Sequence, residues 1–492
     1  MTLWRPLPLI IALAALSGCG DDNPGETRIA IIDEEPQLVD PARTAPDAGD
    51  EYLLASLAQG LVRFDARGQV EAGLAERWHV SDDGRSYIFR LAPQEWPDGE
   101  PVTAREVARA LKRQMTARAN PLSDAFGSVE DVVAMTDRVI EIRLTRARPD
   151  LLFLLAQPQM ALLHDGTGSG PFLLSEAEDE DGLHLSRIVE TDRTAELEEE
   201  MLHVSPATAQ RAVGMFSAGE VEMVLGGSFA DLPFAQAADL DRGRLLFDPV
   251  IGLFGLKPQR RTDALDDAEV RAILSRAIDR DAFLADLSVP GLLPRARILQ
   301  AGLDVTRGFD APGWIDEPIK QRQTRYRARL EAILGAPDED GAPLLGVLVH
   351  LPDGPGGDML FNRLATDWAR IGVEARRAEQ PGDAHYVLID EVAPSGSSAW
   401  FVRHFRCTVS TYCLEEADTL MATAREATNV ADRETQLVGA ALMLDDANIF
   451  IPIAAPVRWS LVGPYVTGFA PTRLGRHPLT GLKGPLPQEN AQ

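Results

Sequence analysis

The chain has 492 residues, 45% hydrophobic and 25% charged, a composition that excludes disordered and fibrous classes and fits a globular protein. Its length exceeds the roughly 100–200 residues of one ordinary domain, so two or more lobes are expected. The formal net charge of −27 repels polyanions and argues against a nucleic-acid partner. Such charge serves solubility; it is compatible with steering cationic solutes but does not demand it.

The N-terminus comes first in chain order. Arg5 supplies a short positive region, and residues 7–16 form an apolar run too short to span a bilayer. Leu16-Ser17-Gly18-Cys19 follows. Small residues before a cysteine let a peptidase grip extended backbone, and the thiol is the nucleophile that takes a diacylglycerol. The segment looks like a lipobox, which implies removal of residues 1–18 and a lipid on Cys19. Residues 19–27 then read as a polar tether. No later apolar run approaches the roughly 20 residues needed to cross a membrane.

Arg28-Ile29-Ala30-Ile31-Ile32 predicts the first strand, stopped at Asp40-Pro41. Residues 51–61 carry Leu53, Leu54, Leu57 and Leu61 at helical spacing. Residues 87–91 and 139–144 alternate like strands. Thr103 three residues before Glu106 predicts a capping box opening a helix through Met115. Residues 207–218 predict a helix ending at Gly219, with a buried strand at 222–225. Further helices are expected at 267–278, 321–334, 358–371, 417–427 and 432–446, and a strand at 373–375. Helices and strands interleave throughout, which indicates α/β lobes.

Motifs for chemistry are scarce. There is no Gly-x-Ser-x-Gly elbow, no His-Glu-x-x-His and no Gly-x-x-x-x-Gly-Lys-Ser/Thr, so an enzyme is not expected. Gly166-Thr167-Gly168-Ser169-Gly170 precedes a strand instead of opening a helix, and reads as a turn, not a phosphate cradle. The eight histidines are scattered, none paired at i, i+4, and no metal or cofactor is expected from them. Cys407 and Cys413, in an oxidising envelope, read as a disulfide that shapes a short loop; a metal site is the alternative, but no His or Cys set at ligand spacing surrounds them.

One run reads Gly60-Leu61-Val62-Arg63-Phe64-Asp65, Gly73-Leu74-Ala75-Glu76-Arg77-Trp78, Ser81-Asp82-Asp83-Gly84, then Trp96-Pro97-Asp98-Gly99-Glu100-Pro101-Val102-Thr103-Ala104-Arg105-Glu106-Val107. In this order the segments resemble the family 5 extracellular solute-binding proteins (oligopeptide, dipeptide and nickel type) of bacterial ABC importers. Gly170-Pro171-Phe172, Gly219-Glu220-Val221-Glu222, Ala277-Ile278-Asp279-Arg280 and Ile451-Pro452-Ile453 extend the likeness from about residue 28 to 475.

The resemblance implies an α/β, two-lobed periplasmic-binding-protein fold (type II, enlarged oligopeptide type) with mixed sheets and a two-segment hinge. The first lobe would span 28–250, with an extra subdomain at about 65–165. The second would span 251–455, and 456–492 would return to the first. Hinge crossings would lie near 247–255 and 454–459. It further implies a monomer that captures a short peptide, delivers it to a permease and its ATPase, and needs no cofactor. The implied ligand-binding candidates are Glu34, Glu35, Gly227, Ser228, Phe229, Asp390, Glu391, Ser398, Trp400, Phe401 and Arg403. Trp400 or Phe401 would stack on a side chain, and Arg403 would pair a carboxylate.

Two departures from the family pattern bear on the ligand. Residues 394–401 lack the acid that pins a peptide amine, for which Asp390 or Glu391 would substitute, and Leu256-Lys257 stands where asparagine is usual. Nickel or another non-peptide solute, or an envelope sensor without a permease, are the alternatives.

Overall fold

The structure, a computed structural model, describes residues 26–32, 35–175, 182–190, 197–308, 310–336 and 342–482. The lipobox, Cys19, the tether and Glu34 lie outside the described residues. No helix among the described residues is long and apolar enough to cross a membrane.

Three main sheets organise the chain. Glu26–Ile32 lies at the centre of a seven-stranded mixed sheet, parallel to Leu197–Ala207 on one side and Met223–Ser228 on the other. Arg458–Val462 and Leu245–Phe247 complete one edge, and Leu183–Glu190 and Leu173–Leu174 the other. Helix Ala209–Ala218 makes the crossover between the parallel strands. It starts one residue after the strand that absorbs Ala207, later than the 207–218 pattern implied, and ends at Gly219 in the left-handed conformation (φ 75°).

A five-stranded sheet holds, in order, Val373–Arg377, Leu345–His350, Tyr386–Val392, Gly252–Pro258 and Ile451–Ala454. The chain leaves the first sheet at Phe247 and enters the second at Gly252; it leaves the second at Ala454 and re-enters the first at Arg458. These two short crossings are the only covalent links between the two sheets among the described residues. Beside them, Phe229 of the first sheet's side meets Phe254 of the second edge-on, with centroids 4.7 Å apart.

A third, four-stranded antiparallel sheet comprises Ala75–Val80, Ser86–Leu91, Val129–Thr136 and Val139–Leu144. Its alternation works as the sequence suggests: Tyr87, Phe89 and Leu91 point inward, and Phe89 pairs with Ile140. Helix Ala104–Thr116 covers it, and Val107 and Leu111 join a core separate from that of the main lobes. Thr103 caps this helix through the Glu106 N–H (3.3 Å), but the reciprocal half of the capping box is absent. The Glu106 carboxylate instead accepts from Trp96 Nε1 (3.1 Å) and contacts His164.

The helix expected at 51–61 spans Ala48–Leu57, capped by Asp47, and stops short because Gly60 must pass close to other backbone. A Cβ there would sit 2.9 Å from the Leu155 carbonyl. Gly168 and Gly170 are likewise pressed against residues 56–58, so the glycine-rich run is a packed turn.

In the second lobe's core, burial pushes the Asp445 carboxyl up to about 7, although the Ile298 N–H donates to it (3.0 Å). An acid raised on folding contributes stability below its ordinary pKa and loses it as pH rises through the folded value. Asp445→Asn is therefore expected to flatten the pH dependence of the urea midpoint between pH 4 and 8. It should stabilise the protein at pH 8 by up to about 4 kcal/mol. A variant as pH-dependent as the parent would show that Asp445 titrates normally.

Candidate functional site

A cavity of about 330 Å³ lies between the two lobes. Its first-lobe wall comes from Glu51 and Tyr52 of helix Ala48–Leu57, Gly226, Arg458 and the returning segment at Arg476. Its second-lobe wall comes from the end of strand Tyr386–Val392 (Asp390, Glu391, Val392) and from Trp400, Arg403 and His404. Cleft sites at strand ends are the general pattern of α/β sheets. Hydrogen bonds cross the rim: Gln157 Nε2 donates to the Pro394 carbonyl (2.8 Å) and Ser395 Oγ to Asp150 Oδ2 (3.0 Å). Arg406 pairs with Asp124. The lobes are thus closed over the cavity.

The charges inside divide into committed and uncommitted groups. Arg458 Nη1 grips both carboxylate oxygens of Asp390 (2.9 and 3.0 Å), and Nη2 donates to the Asp390 carbonyl (3.0 Å). Burial raises the Asp390 carboxyl, and Arg458 opposes that. Glu51 contacts Arg476 and Gln159; burial raises it too, against the pull of Arg476.

Arg403 differs: among the described residues its guanidinium makes no hydrogen bond and no ion pair. Burial pushes it down to about 10. Glu391 faces the cavity with its carboxylate raised by desolvation, against the pull of Arg403 and Lys257, and His404 Nε2 lies 3.8 Å from it. Burial holds His404 at about 3, so that ring is neutral, and its Nε2 has no hydrogen-bond partner. Trp400 stands edge-on to His404, with centroids 4.4 Å apart.

The candidates therefore separate. Asp390, Glu391, Trp400 and Arg403 line the cavity together. Phe229 and Phe401 are fully buried in the core instead. Gly227 lies flat against the Trp459 ring, where a Cβ would come within 2.2 Å. Ser228 Oγ donates to Asp231 (2.9 Å), and its carbonyl accepts from Trp459 Nε1 (2.7 Å). Ser398 is buried, its N–H donating to Asp304 (2.7 Å). Glu35 is exposed and is not part of the cavity wall. Glu51, Gln159, Arg458 and Arg476 were not singled out from sequence; Glu51 shares its helix with a second acid, Asp50, so nothing local marked it out.

Cys407 and Cys413 are joined, with Cα atoms 5.1 Å apart. Lys257, at one of the departures from the family pattern, ties this loop to the site: its Nζ donates to the His404 carbonyl (3.0 Å) and the Val409 carbonyl (3.2 Å). Replacing both cysteines by serine is expected to cost about 2 kcal/mol, as befits a short loop. Urea unfolding with and without reductant checks this; equal midpoints for parent and variant under oxidising conditions would contradict it.

Two sheets linked twice and closed over a charged cavity define a two-lobed binding protein. Residues 69–328 match the bacterial extracellular solute-binding proteins, family 5, and the chain belongs to that family. It is 22% identical to the oligopeptide-binding protein OppA of Bacillus subtilis, over 60% of this chain and 61% of that protein. It is 22% identical to the dipeptide-binding protein of Escherichia coli, over 83% of this chain and 85% of that one. The fold matches the crystal structure of Haemophilus influenzae OppA in complex with RPPGFSPFR, with a TM-score of 0.78 at 18% identity, covering 93% of this chain and 99% of the other.

Proposed function

We propose that this chain is the capture subunit of an ABC importer and that its ligand is a short peptide. The observation that carries the reading is one interlobe cavity presenting an uncommitted carboxylate, Glu391, and an uncommitted guanidinium, Arg403. A zwitterion complements that pair: its amine meets Glu391 and its carboxylate meets Arg403. Asp390 is a poorer amine partner because Arg458 already holds it. A volume of about 330 Å³ lies at the small end of ligand sites, roughly 300–1,000 Å³, which favours a short peptide. Trp400 supplies an apolar face for one side chain.

Closure is stabilised only by the free energy with which the ligand prefers the closed state. In this reading residues 1–18 are removed on export and Cys19 carries a lipid, with 19–27 as tether. Lobes of 28–250 (subdomain about 65–165) and 251–455, plus the return at 456–492, act as a monomeric trap beside a permease and its ATPase.

Native mass spectrometry of residues 20–492, purified from a bacterial periplasm without refolding, tests the reading. A ladder of adduct masses matching short peptides is expected. A single non-peptide mass would replace the ligand class, and a bare protein that gains no thermal stability from di- or tripeptides would overturn capture.

A further inference from the structure

The subdomain carries a second constellation, none of whose residues lines the interlobe cavity, and it is independent of the peptide reading. His164 ends the short strand Leu163–His164 and stacks on Trp96, with centroids 5.2 Å apart and planes 13° from parallel. Its Nδ1 lies 2.5 Å from Glu106 Oε1. Its Nε2 faces two further carboxylates, Asp98 Oδ2 at 3.3 Å and Glu100 Oε2 at 3.8 Å. Ligand atoms of Asp98, Glu100 and His164 all fall within 4.8 Å of one another.

We infer that Asp98, Glu100 and His164 form a binding site for a divalent transition-metal ion, with Glu106 as the residue that positions the imidazole. Three facts carry this. The Glu106 carboxylate engages Nδ1 and turns Nε2 toward two carboxylates, 3.3 and 3.8 Å away, where a cation can take the place of the Nε2 proton. A carboxylate on the far nitrogen is the usual orienting partner of a metal-bound histidine. Finally, Asp98, Glu100 and Glu106 have no Lys or Arg within ion-pair distance among the described residues, so three negative charges converge on one imidazole.

The frame is stiff. Trp96 stacks on the ring and donates to Glu106 (3.1 Å), and Asp98 and Glu100 flank Gly99, which has φ 87°. One nitrogen and two carboxylate donors suit Zn²⁺ or Mn²⁺ better than Ca²⁺, which takes oxygen ligands. Such an ion would staple the turn at 97–100 to the hairpin at 163–168. Spacing along the chain hides the site, because its ligands lie 64 residues or more apart except for the Asp98–Glu100 pair.

The test is isothermal titration of EDTA-treated residues 20–492 with Zn²⁺ and, separately, Ca²⁺. One equivalent of Zn²⁺ is expected. D98N/E100Q should weaken it by at least about 10-fold, and E106Q by about 10-fold with stoichiometry unchanged. Far-UV circular dichroism of the metal-free variants confirms that they fold. No Zn²⁺ binding by the parent, equal affinity in D98N/E100Q, or Ca²⁺ binding as tight as Zn²⁺ would each overturn the site. The last two outcomes would mean an ion held elsewhere, or acids acting as an undirected charge cluster. Nitrogen-15 spectra of His164 add a second readout: Zn²⁺ should shift Nε2 selectively, and a spectrum insensitive to Zn²⁺ would exclude ligation.

Discussion

Arg403→Met is expected to weaken capture of short peptides at least about 30-fold while leaving the ligand-free protein as stable as the parent, or more so. The guanidinium sits in the closed cavity without a hydrogen bond or ion pair among the described residues, and burial already pushes it down to about 10. An enclosed cation without a partner is unfavourable, and an apolar chain of similar length removes that cost. In the proposed reading the ligand, by contrast, loses the partner of its carboxylate. Removing one side of a desolvated charge pair costs about 2–5 kcal/mol, or at least about 30-fold in Kd. Titration calorimetry with di- and tripeptides, alongside thermal melts of the ligand-free proteins, reads both effects. Unchanged affinity would show that Arg403 does not meet the ligand. A melting temperature lowered by several degrees would make Arg403 a structural residue.

Arg458→Met should have the opposite profile, a loss of stability before any question of binding. Arg458 is the partner that holds Asp390, and its removal strands a carboxylate already raised by burial. Breaking such a pair from one side costs about 3 kcal/mol or more. The sign with pH follows from the raised carboxyl: the penalty is largest at neutral pH and fades as acid protonates Asp390. The double variant Asp390→Asn/Arg458→Met should recover most of the loss, because no unpaired charge remains. Urea denaturation at pH 5 and pH 8 checks both statements. A double variant as unstable as Arg458→Met would mean that the arginine matters through its bonds to the Val457 and Asp390 carbonyls instead.

The fold was largely legible because its signals are local. Alternation at 139–144 puts Ile140 and Ile142 fully inside, and Gly219 ends its helix because only a residue tolerant of positive φ turns the chain there. Errors arose where tertiary contact overrides local pattern. Ala207 has helical surroundings but pairs with Ile32 as a strand, and Glu106 spends its carboxylate on His164 and Trp96 instead of on the cap.

The candidate site was legible only in part. The family resemblance pointed to Asp390, Glu391, Trp400 and Arg403, and all four line the cavity. An arginine's partner cannot be read from one segment, so the split between a held Asp390 and an unheld Arg403 needed residue 458, 68 positions away. Phe229 was a ligand-binding candidate by resemblance, yet it is buried against Phe254 beside the crossings between the sheets.

The Asp390–Arg458 pair has a mechanical consequence. Arg458 opens the strand directly after the second crossing, and Asp390 is paired in register with Phe254, just after the first. The pair therefore sits near the pivot, where rotation of the lobes displaces atoms least. Arg406–Asp124 and Gln157–Pro394 sit on the rim, at the end of the lever arm. A small angular change thus translates into a long excursion at the rim and almost none at residue 458. Spectroscopic labels meant to time opening belong at rim positions, and a label at the pivot would stay silent through a complete cycle.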